Sequence, residues 1–307
     1  MPNVLTKQLS VPSKAFLVGE YSVLEGAPGI VATFAPRFTL GSGVASDKEE
    51  TLPLFHPESP AGRFLYDNPW EGIWEFNDPH EGAGGFGGST AEFLLAYAIA
   101  EIKRERPPDA NSVWDAWSRY KKLNPTASGV DLVAQWLGGT VLVDTVKKSA
   151  QKMAIGEIGK SILFFSASHQ PDRKVKTHEH LKKKAVYSTA VSRILRELVM
   201  GAWDALSYDQ ASQLGLAMNE YGDTLRSAGL EISETTEDRR AIAKLAGVLG
   251  VKGTGAMQAD GLVVLLDPSV VGEHLPHKDD IIRFAKKRNL VLISSDISSP
   301  EPGIVIK

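Results

Sequence analysis

The chain has 307 residues, 34 Lys and Arg against 37 Asp and Glu, a formal net charge of −3, and a hydrophobic share of 43%. That length exceeds one compact core and suits two domains, and the charge balance supplies no general field for nucleic acid or an anionic membrane, so an anion must be met by a local site. The absence of cysteine excludes disulfides, thiolate nucleophiles and Cys-ligated zinc.

In chain order, residues 10–39 alternate short apolar runs with turn residues, as in Ala15-Phe-Leu-Val-Gly19, and are expected to form strands. Residues 45–60 read as a polar surface excursion. A strand around Trp74-Glu-Phe76 precedes a glycine-rich stretch, 82–88. Phe93, Leu94, Tyr97, Ala98 and Ile102 then recur at helical spacing, with Ser89 and Glu92 matching a capping box at the start. A second amphipathic stretch carries Trp114, Trp117 and Tyr120 and stops at Asn124-Pro125. Gly138-Gly139 leads into the apolar run Thr140-Val-Leu-Val143.

A domain boundary is expected near 156–160, giving domains 1–158 and 159–307. The second opens with the strand-like Ile162-Leu-Phe-Phe165, continues through helices over 178–206, 209–228 and 240–249, and returns to a buried strand at 261–266. Strands and helices mix without βαβ alternation, so the class is α+β. The first nine residues lack a signal-peptide core and no run reaches membrane-spanning length, so a cytoplasmic protein without membrane or nucleic-acid partners is expected.

Gly82-Ala-Gly-Gly-Phe-Gly87 fits the bare pattern GxGxxG, which has two readings. It is either a flexible loop before a capped helix, or a backbone cradle for a phosphate at a helix N-terminus. A Rossmann site would want a strand feeding directly into the glycines, and Asn77-Asp-Pro-His-Glu81 intervenes. A Walker A loop would need a lysine where Gly88-Ser89-Thr90 stands.

Four segments in order resemble the GHMP kinases, the family of galacto-, homoserine-, mevalonate- and phosphomevalonate kinases. They are Pro12-Ser-Lys-Ala-Phe-Leu-Val-Gly-Glu-Tyr21, Gly85-Phe-Gly-Gly-Ser-Thr-Ala91, Ser128-Gly-Val-Asp131 and Lys252-Gly-Thr-Gly-Ala256. The resemblance implies a two-domain α+β fold, with an N-terminal domain like that of a ribosomal protein and a ferredoxin-like C-terminal domain. It implies ATP and Mg²⁺ as cofactors, a small-molecule acceptor in the cleft, and a homodimer as one available assembly. Lys14 and Asp131 would be catalytic, and Gly85, Gly87, Gly88, Ser89 and Thr90 would hold the nucleotide phosphates. Glu20, Tyr21, Ser128, Gly129, Lys176, Thr177, Thr254 and Gly255 would contact the acceptor, and Ser89 and Glu20 the metal. Tyr21, Glu25 and Asp260 resemble phosphomevalonate kinases, whereas Asn124-Pro125 is closer to mevalonate kinases; phosphomevalonate is the favoured acceptor and mevalonate the alternative.

Departures from the family pattern are Ser13 for a glycine, Gly88 for a serine, and Met257, Gln258 and Ala259 for three glycines. They keep open a third reading, a catalytically silent protein of this fold that binds a ligand for regulation. The upstream acidic metal ligand of mevalonate kinases is also missing, with Ser118 at its place and Asp115 nearby. Each candidate has a plainer competitor: Lys14 as a solvated lysine, Ser89 as a helix cap, Asp131 as the end of a second capping box opened by Ser128, and Glu20 as a turn residue or the partner that holds Lys14. His178-Glu-His180 has no third ligand in view, and Trp114, Trp117 and Trp136 read as packing residues.

Overall fold

In a computed structural model of the chain, residues 8–42, 54–70, 72–106, 109–167, 169–173, 188–270 and 277–307 are described. Two antiparallel sheets organise them. The first holds β1 (Leu9–Val18), β2 (Gly29–Ser42), β3 (Trp74–Asn77), β4 (Thr140–Asp144), β5 (Ser149–Met153) and β10 (Val305–Ile306), in the order β10-β1-β2-β4-β5 with β3 also on β2. The second runs β7-β8-β6-β9, from β6 (Ile162–Ser166), β7 (Val248–Thr254), β8 (Gly261–Leu266) and β9 (Val291–Ser294).

Helices α1 (Pro60–Asp67), α2 (Gly88–Lys103), α3 (Val113–Leu123) and α4 (Val130–Leu137) cover one face of the first sheet. Their core joins Phe93, Tyr97 and Leu132 to Leu9, Val11 and Phe38 of the strands. After the short α5 (Gly156–Lys160) come α6 (Thr189–Ser207) and α7 (Ala211–Ser227). Leu195, Trp203, Met218 and Tyr221 of this helix pair share a second core with Leu17 and Phe34 of the first sheet and Phe164 and Val263 of the second. The two halves therefore bury apolar surface against each other, which at about 25 cal/mol per Å² couples their stabilities. Helices α8 (Ser233–Ile242) and α9 (His277–Lys287) close the outer face of the second sheet.

The sheets divide between Met153 and Ile162, but the chain end crosses back. β10 pairs with β1, and Ile304 N donates to Trp136 O. Three further local readings are corrected. The helix expected over 240–249 lies earlier and ends at Ile242, because Gly247 turns the backbone at φ +82° and residues 248–254 pair with β8. The Ser89–Glu92 capping box does not form, since α2 starts one residue before Ser89 with Gly87 as its left-handed N-cap. Likewise α4 starts from Gly129, φ +72°, so Asp131 sits in the first turn rather than closing a box with Ser128. Of the helix expected over 178–206, only the part from Thr189 falls within the described residues, with Ser188 as its cap.

Candidate active site

A cleft of about 540 Å³ opens where β1, the glycine-rich loop, α3, α4 and the loop after β7 converge. Among the described residues its wall carries one cationic side chain, Lys14, and five carboxyls: Glu20, Asp78, Glu92, Asp131 and Asp260.

Lys14 projects from β1 directly after a register shift, at Pro12/Ser13, in its pairing with β2. Such an irregularity re-aims a side chain that regular pleating would send elsewhere. Its ammonium lies 3.8 Å from Asp131 Oδ2. Asp131 reaches that place because Gly129 makes the turn into α4: a Cβ there would sit 2.7 Å from the Trp117 ring, and Trp117 Nε1 donates to Ser128 O. The packing role expected of Trp117 thus also sets the start of α4. Ser128 Oγ accepts a hydrogen bond from Val130 N at 3.3 Å.

Facing this pair is the start of α2. Gly87 has φ +94°, and a Cβ on it would meet Gln135 Nε2 at 2.7 Å and Lys14 Cγ at 2.9 Å, so only glycine lets the loop lie against the lysine. The first helical amides, at Gly88, Ser89 and Thr90, have no acceptor within their own helix and form the positive end of its dipole. The Thr90 hydroxyl turns inward to Gln135, which donates to Pro12 O, leaving the Thr90 backbone to the cleft. Ser89 and Tyr120 both line the cleft.

Glu20 holds a lysine, but the lysine is Lys252 rather than Lys14. Glu20 Oε1 accepts from Lys252 Nζ at 2.7 Å and from Gln258 Nε2 at 2.6 Å. Lys252 is fully buried, and that burial pushes its ammonium below the usual lysine range while Glu20 opposes the shift. Tyr21 Oη accepts from Met257 N, and burial pushes the phenol pKa up. Met257 and Gln258 keep left-handed angles, φ +53° and +56°, in place of the glycines that would adopt them freely. Each costs about 1–2 kcal/mol, and the bonds to Tyr21 and Glu20 hold them there.

Asp260 lies between Thr254-Gly255 and the glycine-rich loop. A Cβ on Gly255 would fall 1.9 Å from its Oδ2, and one on Gly85 2.9 Å from its Cβ. Burial raises its carboxyl from 3.8 to about 6, with Lys14 pulling the other way. Glu92, one turn into α2, is raised to about 7 by burial and by Asp78. Sequence reading gave Glu92 only as half of a capping box and did not single out Asp78; Glu92 stands three residues after Ser89, a spacing that shares a helix face.

Lys176 and Thr177 lie outside the described residues, as does His178-Glu-His180. Arg173 is buried and ion-paired with Asp238. Asp115 is held by Tyr97 Oη and Arg119, and Ser118 Oγ turns back to Trp114 O, so neither reaches the cleft. Free first-turn amides, a glycine bend and a lysine suit a polyphosphate. No three His, Cys, Asp or Glu side chains gather to hold a metal ion among the described residues. The donors therefore suit Mg²⁺ carried by a nucleotide, which needs few protein ligands, with Ser89 as the available hydroxyl.

No protein-family model matches the sequence, and no curated protein matches it. Solved structures do. Mevalonate kinase of Methanococcus jannaschii aligns at 15% identity over 95% of this chain and 98% of that one, with a TM-score of 0.71. Galactokinase of Lactococcus lactis, complexed with galactose, aligns at 12% identity over 97% and 95%, TM-score 0.67. Phosphomevalonate kinase of Streptococcus pneumoniae aligns at 12% identity over 97% and 99%, TM-score 0.66. The chain therefore has the α+β fold of the GHMP kinases. No helix among the described residues is long and apolar enough to cross a membrane.

Proposed function

We propose that this chain is a small-molecule kinase moving the γ-phosphoryl group of ATP to an acceptor of the mevalonate class. The observation that carries the proposal is the Lys14–Asp131 pair, 3.8 Å apart, facing the glycine-capped start of α2 across one cleft. In this reading the amides of Gly88 to Thr90 bind phosphate oxygens, and Lys14 neutralises charge on the transferring group. Asp131 takes the proton of a hydroxyl acceptor, or orients the already ionised oxygen of a phosphomonoester acceptor; that oxygen attacks phosphorus, and the bond to the ADP oxygen breaks. Gly85, Gly87 and Gly255 let the backbone close on the ligands. Mg²⁺, when bound with Ser89, supplies charge neutralisation on the phosphates. Glu20 acts through Lys252 and Gln258, holding the loop that carries Thr254 and Gly255, rather than as a metal ligand.

Phosphomevalonate is the favoured acceptor, on the strength of Tyr21, Glu25 and Asp260. A second reading, mevalonate, is supported by the commitment of Arg173 to Asp238, which leaves Lys14 as the cation of the described cleft. A carboxylate base beside it also serves a hydroxyl nucleophile better than a phosphate. The deciding experiment is ADP release with mevalonate, phosphomevalonate, homoserine and galactose. Preference for phosphomevalonate upholds the first reading and preference for mevalonate the second. Nucleotide-dependent thermal stabilisation without turnover on any acceptor would point to a silent ligand-binding protein.

A further inference from the structure

His80 lies outside the four motif segments, in the stretch that separates β3 from the glycines. Its Nε2 is 2.6 Å from Ser13 Oγ, in the buried interior. Ser13 is fully buried and immediately precedes Lys14; the same hydroxyl lies 2.5 Å from Pro36 O. A carbonyl oxygen can only accept, and a hydroxyl has one proton. Ser13 must therefore donate to Pro36 and accept from His80, which fixes His80 as the Nε2–H tautomer. Pro36 belongs to the stretch of β2 left out of register opposite Pro12/Ser13. The chain of bonds thus runs through the irregularity that aims Lys14.

The other side of His80 belongs to the glycine-rich loop. Its ring centroid is 4.8 Å from that of Phe86 and 5.5 Å from that of Phe38. Its backbone N–H donates to Asp78 Oδ1, whose other oxygen accepts from Gly82 N, and its carbonyl accepts from Ala83 N. Lys14 N donates to Phe86 O at 3.1 Å. Burial holds the imidazole below the usual histidine range, with Asp78 opposing. A neutral ring carries the single donor that Ser13 requires.

We propose that His80 and Ser13 are positioning residues that pin the glycine-rich loop to the Lys14 strand, so that the phosphate cradle exists before nucleotide arrives. The consequence for ATP rests on the kinase reading; the ordering of the loop does not. If the cradle is preformed, unpinning it lowers the fraction of binding-competent protein and weakens apparent nucleotide affinity by that fraction. Turnover of bound nucleotide changes less.

The test compares Ser13→Ala, His80→Ala and His80→Gln with the parent by hydrogen exchange without nucleotide and by steady-state kinetics with ATP. Loss of one buried hydrogen bond should speed exchange at residues 84–89 by about tenfold relative to the strands. A cradle open no more than about a tenth of the time in the parent stays at least half competent after that change, so KM for ATP should rise by no more than about twofold while kcat holds. His80→Gln, whose amide can donate from a similar position, should recover most of both. A lowered Tm with no selective exchange at 84–89 would make the pair merely structural and overturn the proposal, and Ser13→Ala decides the matter where His80→Ala does not fold. If the parent phosphorylates no acceptor, the kinase reading fails while selective exchange still supports the pinning.

Discussion

Replacing Asp260 by Asn tests the electrostatics of the cleft in isolation from turnover. The carboxyl is raised from 3.8 to about 6, chiefly by burial and despite Lys14. The folded protein thus binds this proton more tightly than the unfolded chain does. Stability from this group is full below the unfolded pKa, falls as pH rises through the window from about 4 to 6, and stays reduced above it. A shift of about two units corresponds to about 3 kcal/mol at neutral pH, of which about 2 kcal/mol is lost between pH 4.5 and 7.5. Asn fits the same space between Gly84, Gly85 and Gly255 and cannot ionise. Urea unfolding of both proteins from pH 4.5 to 7.5 should therefore show the variant gaining on the parent by about 2 kcal/mol as pH rises. Other carboxyls cancel in the difference. A variant-minus-parent difference that does not change with pH, or that falls as pH rises, would refute the assignment of a carboxyl whose ionisation is opposed at this position.

Three further perturbations address the machinery. Asp131→Asn should lower turnover by about 10²–10⁴-fold at saturating substrates while nucleotide-dependent stabilisation persists; turnover within a fewfold of the parent would leave Asp131 a helix-start residue. Ser89→Ala removes no helix cap, because Gly87 holds that position, so unfolding free energy should move by less than about 0.5 kcal/mol. KM for Mg·ATP should rise and added Mg²⁺ should partly restore it, whereas an unaltered Mg²⁺ dependence would exclude the hydroxyl as a ligand. Lys252→Met strands the Glu20 carboxylate in the interior and should cost about 3–5 kcal/mol in chemical denaturation. Adding Glu20→Gln should recover part of that loss, and additive losses would show the two residues to be uncoupled.

Much of this molecule is legible in the chain itself. Apolar period alone outlines α2 and α7, and the short apolar runs give β1, β6 and β8, because these patterns record which side of a local element faces a core. Gly87 and Gly129 mark the two helix starts that meet at the cleft, since each bend is local and needs a left-handed angle. What the chain could not disclose is which distant group completes each side chain. Glu20 is bonded to Lys252 and Gln258, Asp260 is seated among glycines of another segment, and Ser13 accepts a hydrogen bond from His80 Nε2. The helix expected over 240–249 stops at Ile242, and residues 248–254 form a strand because β8 offers them a ladder. Turn chemistry and periodicity act over a few residues. Ion pairs, register and buried carboxyl energetics depend on segments that only the folded chain brings together.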